Sequence, residues 1–157
     1  MKNKVLVMMI LLGLMIASPF QVYARTSSGS GIQDFHDSLP QAYINKIMRH
    51  VTETLKFQLR GTDIVGRWSN LGFGILLPAT DGVSAEGRMT RVRQVLDQPF
   101  YLEAGDKTEI CLDAIVGLAD RQGGESLALL TEQAEKALDV AMHSNDKVYL
   151  YKVRPFG

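Results

Sequence analysis

Few residues of this chain have types and spacing that could do chemistry. Cys111 is the single cysteine, so an intrachain disulfide and a multi-cysteine zinc site are both excluded. His36, His50 and His143 form no H-x-x-x-H pair, so a histidine-based metal site on one helix face is not expected. Asp106, Asp113 and Asp120 are separate acids without metal-ligand spacing. Guanidinium chemistry remains. Arg88, Arg91 and Arg93 crowd one short segment, and guanidinium forks grip phosphate bidentately and stack on planar rings. On a helix, however, such a cluster reads most simply as a solvated face.

These residues sit in a chain of 157 residues, which suggests one domain, or one domain and a tail. Lys plus Arg and Asp plus Glu are each 17, so the formal net charge is zero. That balance excludes a histone-like binder of bulk nucleic acid, which needs many uncompensated cations. With 46% hydrophobic and 22% charged residues the chain is expected to fold. The average hides a split. Lys2 and Lys4 are the only charges in residues 1–24, so the remainder carries 15 basic and 17 acidic side chains and is mildly acidic.

Residues 1–24 read as a signal peptide or membrane anchor. Lys2 and Lys4 make a basic start, Val5 to Ala17 is apolar with Gly13 as the one soft break, and Val22-Tyr23-Ala24 fits a small-residue cleavage pattern. The uncharged stretch 5–24 is also about the 20 residues that an uncleaved spanning helix needs. The alternative is a buried N-terminal helix or strand. It is disfavoured because thirteen consecutive apolar residues are hard to hide in so small a domain. The positive-inside rule sets the N-terminus in the cytoplasm and the domain outside, exported or membrane-anchored. Residues 25–31, with the run Thr26 to Gly31, read as a linker.

The domain itself occupies residues 32–157. Ile44, Ile47, Met48, Val51, Leu55 and Leu59 predict a helix that begins near Pro40 and ends at Gly61. Asp63–Trp68 and Phe73–Leu77 predict a β-hairpin around Ser69-Asn70, stopped by Pro78. Thr80 or Asp81 caps a second helix with Ala85, Met89, Val92 and Leu96 inward and Arg88, Arg91 and Arg93 outward. Phe100–Glu103 and Thr108–Ala119 predict two strands. Glu125–His143 predicts a helix with Leu127, Leu130, Ala134, Leu138 and Ala141 inward, and Lys147–Val153 a final strand. Cys111 is expected in a strand core, Trp68 in packing, and the histidines on the surface. The order of helix, hairpin, helix, two strands, helix and strand implies an α+β fold with helices covering one sheet.

The segment Leu59 to Pro78, LRGTDIVGRWSNLGFGILLP, resembles the core of the GGDEF domain, the diguanylate cyclase family. Arg60, Asp63, Arg67, Phe73 and Pro78 fall in register with the family's pattern. The likeness continues to Gly117 and again over Ala134 to Tyr151, so that it covers about residues 30–151. It implies a nucleotidyl-cyclase-like palm: a central, mostly antiparallel sheet flanked by helices. The family's lead-in is absent or replaced, so the first strand is expected to be truncated or vestigial, with residues 22–27 as a candidate.

The catalytic positions depart from the pattern. The signature reads Ser69-Asn70-Leu71-Gly72-Phe73. Leu71 cannot ligate Mg²⁺, which demands oxygen ligands, and Gly72 carries no carboxylate. The family's other metal-binding aspartate falls near Ser30. Its guanine-reading residues fall at His36 and Asn45, and its phosphate-holding cations at Met142 and Asp146. Phosphoryl transfer depends on metals and cations to stabilise transition-state charge. The resemblance therefore implies a member without catalytic residues or metal ligands. No cofactor is expected, Mg²⁺ entering only if cyclase chemistry survives.

One ligand site of the family is retained in pattern. An inhibitory site for the product, cyclic di-GMP, uses R-x-x-D placed five residues before the signature and an arginine on the next helix. Here these are Arg60, Asp63 and Arg91, with Ile64 to Trp68 intervening before Ser69. The arginines would hold phosphate, and the Asp63 carboxylate would accept guanine N–H bonds. Two readings follow. One is a catalytically inactive receptor of cyclic di-GMP. The other is an exported or remnant protein-interaction or structural domain with no nucleotide ligand, acting through a protein partner or a homodimer. The receptor is the main reading and the exported or remnant domain the alternative. The second would fit an exported domain, since the dinucleotide is a cytoplasmic messenger, so leader and domain pull in opposite directions. If the leader is instead the relic of a truncated membrane sensor, the domain is cytoplasmic; residues 5–24, uncleaved, would contact the membrane.

Overall fold

The structure, a computed structural model, describes residues 4–11, 23–26, 33–34, 41–69, 72–101, 108–121 and 123–152. Three helices and nine strands are present among them. Strands β1 (Lys4–Leu11), β4 (Ile64–Ser69), β5 (Gly72–Pro78), β8 (Ala114–Asp120) and β9 (Val148–Leu150) form one sheet in the order β4-β5-β1-β8-β9. All its neighbours are antiparallel except β8 and β9, which run parallel. A second sheet has the order β3-β2-β7-β6, from β2 (Tyr23–Thr26), β3 (Gln33–Asp34), β6 (Phe100–Tyr101) and β7 (Thr108–Cys111).

The apolar start of the chain is where the structure differs most from the sequence reading. Lys4–Leu11 is the middle strand of the main sheet, the alternative that the length of the apolar run argued against. It pairs with β5 from Lys4↔Pro78 to Ile10↔Gly72 and with β8 from Val5↔Asp120 to Leu11↔Ala114. The physical reason is that a strand bonded on both edges and covered on both faces needs an unbroken apolar run, the same composition that a leader needs. Residues 23–26 are a strand as well, but in the small sheet. Among the described residues no helix is long and apolar enough to cross a membrane. Residues 12–22 and most of the expected linker lie outside the described residues.

Helix α1 (Gln41–Gln58) buries Ile47, Met48, Val51 and Leu55, as their helical spacing requires. Helix α2 (Gly82–Leu96) starts where the extended Asp81 accepts hydrogen bonds from Ser84 N at 2.9 Å and Ser84 Oγ at 2.8 Å. These bonds hold the Asp81 carboxyl below its usual value, the backbone N–H contributing most. Both helices cover one face of the sheet, against Val65, Phe73, Ile75, Leu77, Val116 and Leu118. Helix α3 (Leu127–Met142) covers the other face over Ile115 and Ala119. Its alanines at 134, 137 and 141 let it lie close. A Cβ on Gly117 would run into the α3 backbone at Ala134 and Leu138, so only glycine fits beneath it. Leu127, expected inward, is 66% exposed because Ser126 caps the helix immediately before it.

The expected single strand 108–119 is two strands in two sheets. The chain crosses over at Leu112 and Asp113. There Arg93 Nη2 meets Asp113 Oδ1 at 2.7 Å and Arg93 Nε donates to Ala114 O at 2.9 Å. Arg93 is thus a clamp between α2 and the crossover rather than part of a solvated face. Asp120, at the far end of β8, accepts from Gly82 N at 2.9 Å and sets a carboxylate at the positive end of α2. His50 stacks on Phe100 with ring centroids 3.9 Å apart, which ties α1 to the small sheet. Burial lowers its pKa, with Glu53 opposing.

Removing β1 would leave β5 and β8 two strand spacings, about 9.6 Å, apart with no ladder between them. A chain begun at Arg25 is therefore expected to lose the cooperative urea unfolding transition of the full chain, followed by circular dichroism. A native-like transition in the shortened chain would contradict the role assigned to this strand.

Candidate anion-binding site at the end of helix α1

The turn after α1 is closed on itself. Asp63 N donates to Arg60 O at 3.0 Å, and Arg60 N donates to Asp63 Oδ2 at 2.8 Å. The same oxygen accepts from Arg88 Nη1 on α2 at 3.1 Å. The Asp63 side chain has 0% exposure and that of Arg88 12%. Because α1 and α2 lie side by side, this pair fixes the turn against the second helix. Arg60, Arg88 and Arg91 then line a cleft of about 340 Å³ with Gln58 and Val92. Arg88 and Arg91 are three apart on α2, so they project from one face.

The residues singled out in sequence thus meet, with a change of roles. Arg60 and Arg91 are exposed at the cleft. Asp63 is buried and engaged with Arg88. Its Oδ1 is buried without a hydrogen-bond partner among the described residues, so a ligand N–H would reach it only if the groups over it move. Arg88 was assigned to a solvated face by its spacing. Its partner lies 25 positions earlier in the chain, and helical periodicity carries no signal for that.

The positions that the resemblance matched to catalysis are described only in part. Asn70 and Leu71 lie outside the described residues, as do Ser30 and His36. Ser69 pairs with Gly72 across a bulge, and Phe73 is buried beneath the Arg67 guanidinium, 5.7 Å from its ring centroid. Trp68, expected in packing, is 52% exposed. Met142 packs beside Ile115, Leu138 and Ala141, and Asp146 precedes β9. Asn45 accepts from Gln41 Nε2 at 3.0 Å and borders a second cleft of about 470 Å³ with Arg49, Thr52, Glu53, Lys56 and Arg67. The donor set does not fit Mg²⁺: a leucine and a glycine occupy signature positions that need carboxylates. Among the described residues no group of three or more His, Cys, Asp or Glu could hold a metal ion.

Removing one partner of a buried ion pair leaves an uncompensated charge and costs about 3–5 kcal/mol. Arg88→Ala is therefore expected to lower unfolding stability by roughly that amount. Arg91→Ala, at an exposed position, should stay within about 0.5 kcal/mol of the parent. Urea denaturation of both variants checks the difference, and equal effects would contradict the assignment.

A family model described as "Diguanylate cyclase, GGDEF domain" matches residues 33–147. Among curated proteins none matches the chain in sequence. Solved structures similar to it include the GGDEF domain of DgcB from Caulobacter crescentus in complex with c-di-GMP. It is 12% identical at a TM-score of 0.69, with 97% of this chain and 80% of that chain covered. Diguanylate cyclase SiaD from Pseudomonas aeruginosa, in complex with its activator SiaC, is 22% identical at a TM-score of 0.66, with 94% and 50% covered. The active GGEEF domain of a diguanylate cyclase from Vibrio cholerae is 13% identical at a TM-score of 0.66, with 97% and 85% covered. At these identities the structures speak for the fold, a palm-like α+β domain, and the family model speaks for descent. The chain belongs to the GGDEF domain family.

Proposed function

We propose that this chain is a catalytically inactive GGDEF domain that receives cyclic di-GMP in the cleft of Arg60, Arg88 and Arg91. The observation that carries this reading is that Arg60, Arg88 and Arg91 line one cleft, with Arg88 also paired to the buried Asp63 carboxylate. Three cations and one anion leave a local surplus of two positive charges. That suits a ligand with two phosphates, and guanidinium forks supply both the phosphate grip and the stacking surface for guanine. The DgcB domain, similar in fold, is described in complex with c-di-GMP. Inactivity rests on chemistry: Leu71 and Gly72 offer no ligand for a metal, and Met142 and Asp146 offer no cation to a triphosphate. In this reading Arg60 and Arg91 contact the ligand. Arg88 and Asp63 hold the cleft in shape, with Asp63 Oδ1 as a further acceptor once uncovered.

Isothermal titration of the full chain with cyclic di-GMP is expected to show binding. Arg60→Ala or Arg91→Ala should weaken it about 10- to 100-fold, since a charge-assisted hydrogen bond is worth about 1.5–3 kcal/mol. No heat from a folded chain, or unchanged affinity in Arg60→Ala, would overturn the proposal and favour the reading without a nucleotide.

The pairing of residues 4–11 within the sheet supports a compartment to match. A segment used as the middle strand stays with its domain, which favours the cytoplasmic reading over export or anchoring. Alkaline phosphatase fused after Gly157 should then be inactive in a bacterial host; an active fusion would speak for export.

A further inference from the structure

We propose that the C-terminal half of α1 seats the domain on an anionic phospholipid surface, with Phe57 as the side chain that enters the lipid. The charges of the helices are segregated. α1 and α2 together carry six Lys or Arg and two Asp or Glu, whereas α3 carries one and three. α1 and α2 cover one face of the main sheet and α3 the other. A chain of zero net charge therefore has a basic helix layer and an acidic one. Two of the six cations are neutralised within the fold, Arg88 by Asp63 and Arg93 by Asp113. Arg49, Lys56 and Arg91 are exposed, and so is Arg60 at the end of α1.

Phe57 stands among these cations. Two residues on are about 200° round a helix, so Phe57 points nearly opposite to the buried Leu55. It is 87% exposed, more than any other large apolar side chain among the described residues. A single exposed apolar residue needs no explanation by itself; here its surroundings supply one. Two clefts flank the end of α1, one with Arg49, Lys56 and Arg67, the other with Arg60, Arg88 and Arg91. Lys56 belongs to the first and Gln58 to the second, and Phe57, between them in sequence, lines neither. Glu53, the single acid of α1, lies in the first cleft and is outnumbered there by its three cations.

Shape and charge together select the partner. The apolar group stands on a convex helix rather than in a groove, with cations on both flanks. A bilayer accepts this form: an aromatic ring enters the boundary of headgroups and acyl chains, while lysine and arginine reach the phosphates on extended stems. A flat anionic surface also meets only the basic side and leaves α3 facing away. A nucleic acid that wraps the domain would meet both sides, and the neutral chain offers no surplus of cations for it. The inference does not rest on the cyclic di-GMP reading, although Arg60 and Arg91 enter both. Phe57 and Lys56 lie outside the arginine cleft, so variants there separate the two.

Co-sedimentation of the full chain with vesicles of phosphatidylglycerol and phosphatidylcholine should show binding that weakens as salt rises. Vesicles of phosphatidylcholine alone should retain little. Phe57→Ser and Lys56→Glu are each expected to raise the apparent dissociation constant at least about fivefold. Both positions are exposed, so the urea transition of the parent should be retained. Any affinity for cyclic di-GMP should also stay at the parent value. Phe57→Trp in a Trp68→Phe background leaves one tryptophan, and its emission should shift to the blue on anionic vesicles. No binding to anionic vesicles, equal binding to uncharged ones, parent-like binding by Phe57→Ser or an unmoved emission maximum overturns the proposal. Retention on immobilised polyglutamate with none on vesicles also overturns it and assigns this face to an acidic protein.

Discussion

Two hydrogen-bonded ladders converge on one eight-residue strand, and the order of the main sheet follows from them. β1 holds β5 on one side and β8 on the other, both antiparallel. The hairpin β4–β5 is therefore carried by β1, and so is the helix pair laid across it. On the opposite face α3 lies against β8 so closely that Gly117 admits no side chain. Any description of this chain that takes Lys4–Leu11 away from the domain must also explain what would fill the middle of the sheet.

The arginine cleft rests on a smaller constraint of the same kind. Asp63 is buried and charged, a state that a protein interior tolerates only with a partner. Arg88 supplies that partner from α2, and the closed turn at Arg60 supplies a second donor. The burial of Asp63 positions the exposed arginines, so the carboxylate acts first on the geometry of the cleft. The cleft lies at the end of β4 that begins with Ile64, away from the end at Ser69.

Much of the fold was legible from periodicity. The buried stripes of α1 and α2, the antiparallel pairing of β4 with β5 and the cap at Asp81 follow the local rules of spacing and capping. The break between β7 and β8 was not legible. No glycine or proline marks it, only Asp113, and its partner Arg93 is 20 residues away. Arg88 was hidden for the same reason. At Leu127 the cap residue Ser126 outranked the apolar stripe, and the first helical turn stayed in solvent.

Sequence alone determined the family, through residues in register from Arg60 to Pro78, and that Leu71 and Gly72 carry no carboxylate. These depend on residue identity and local order, which the chain carries wherever it folds. It also determined that residues 5–17 are apolar, but not what covers them. A membrane, a translocation channel and two helix layers all solvate an apolar run equally well, so composition cannot choose among them. In the structure residues 4–11 have hydrogen-bonding neighbours on both sides. Tertiary structure likewise turned Asp63 inward to Arg88 and left Ile64 and Trp68 outward. Those outcomes are set by which elements become neighbours, and that is decided only when the whole sheet assembles.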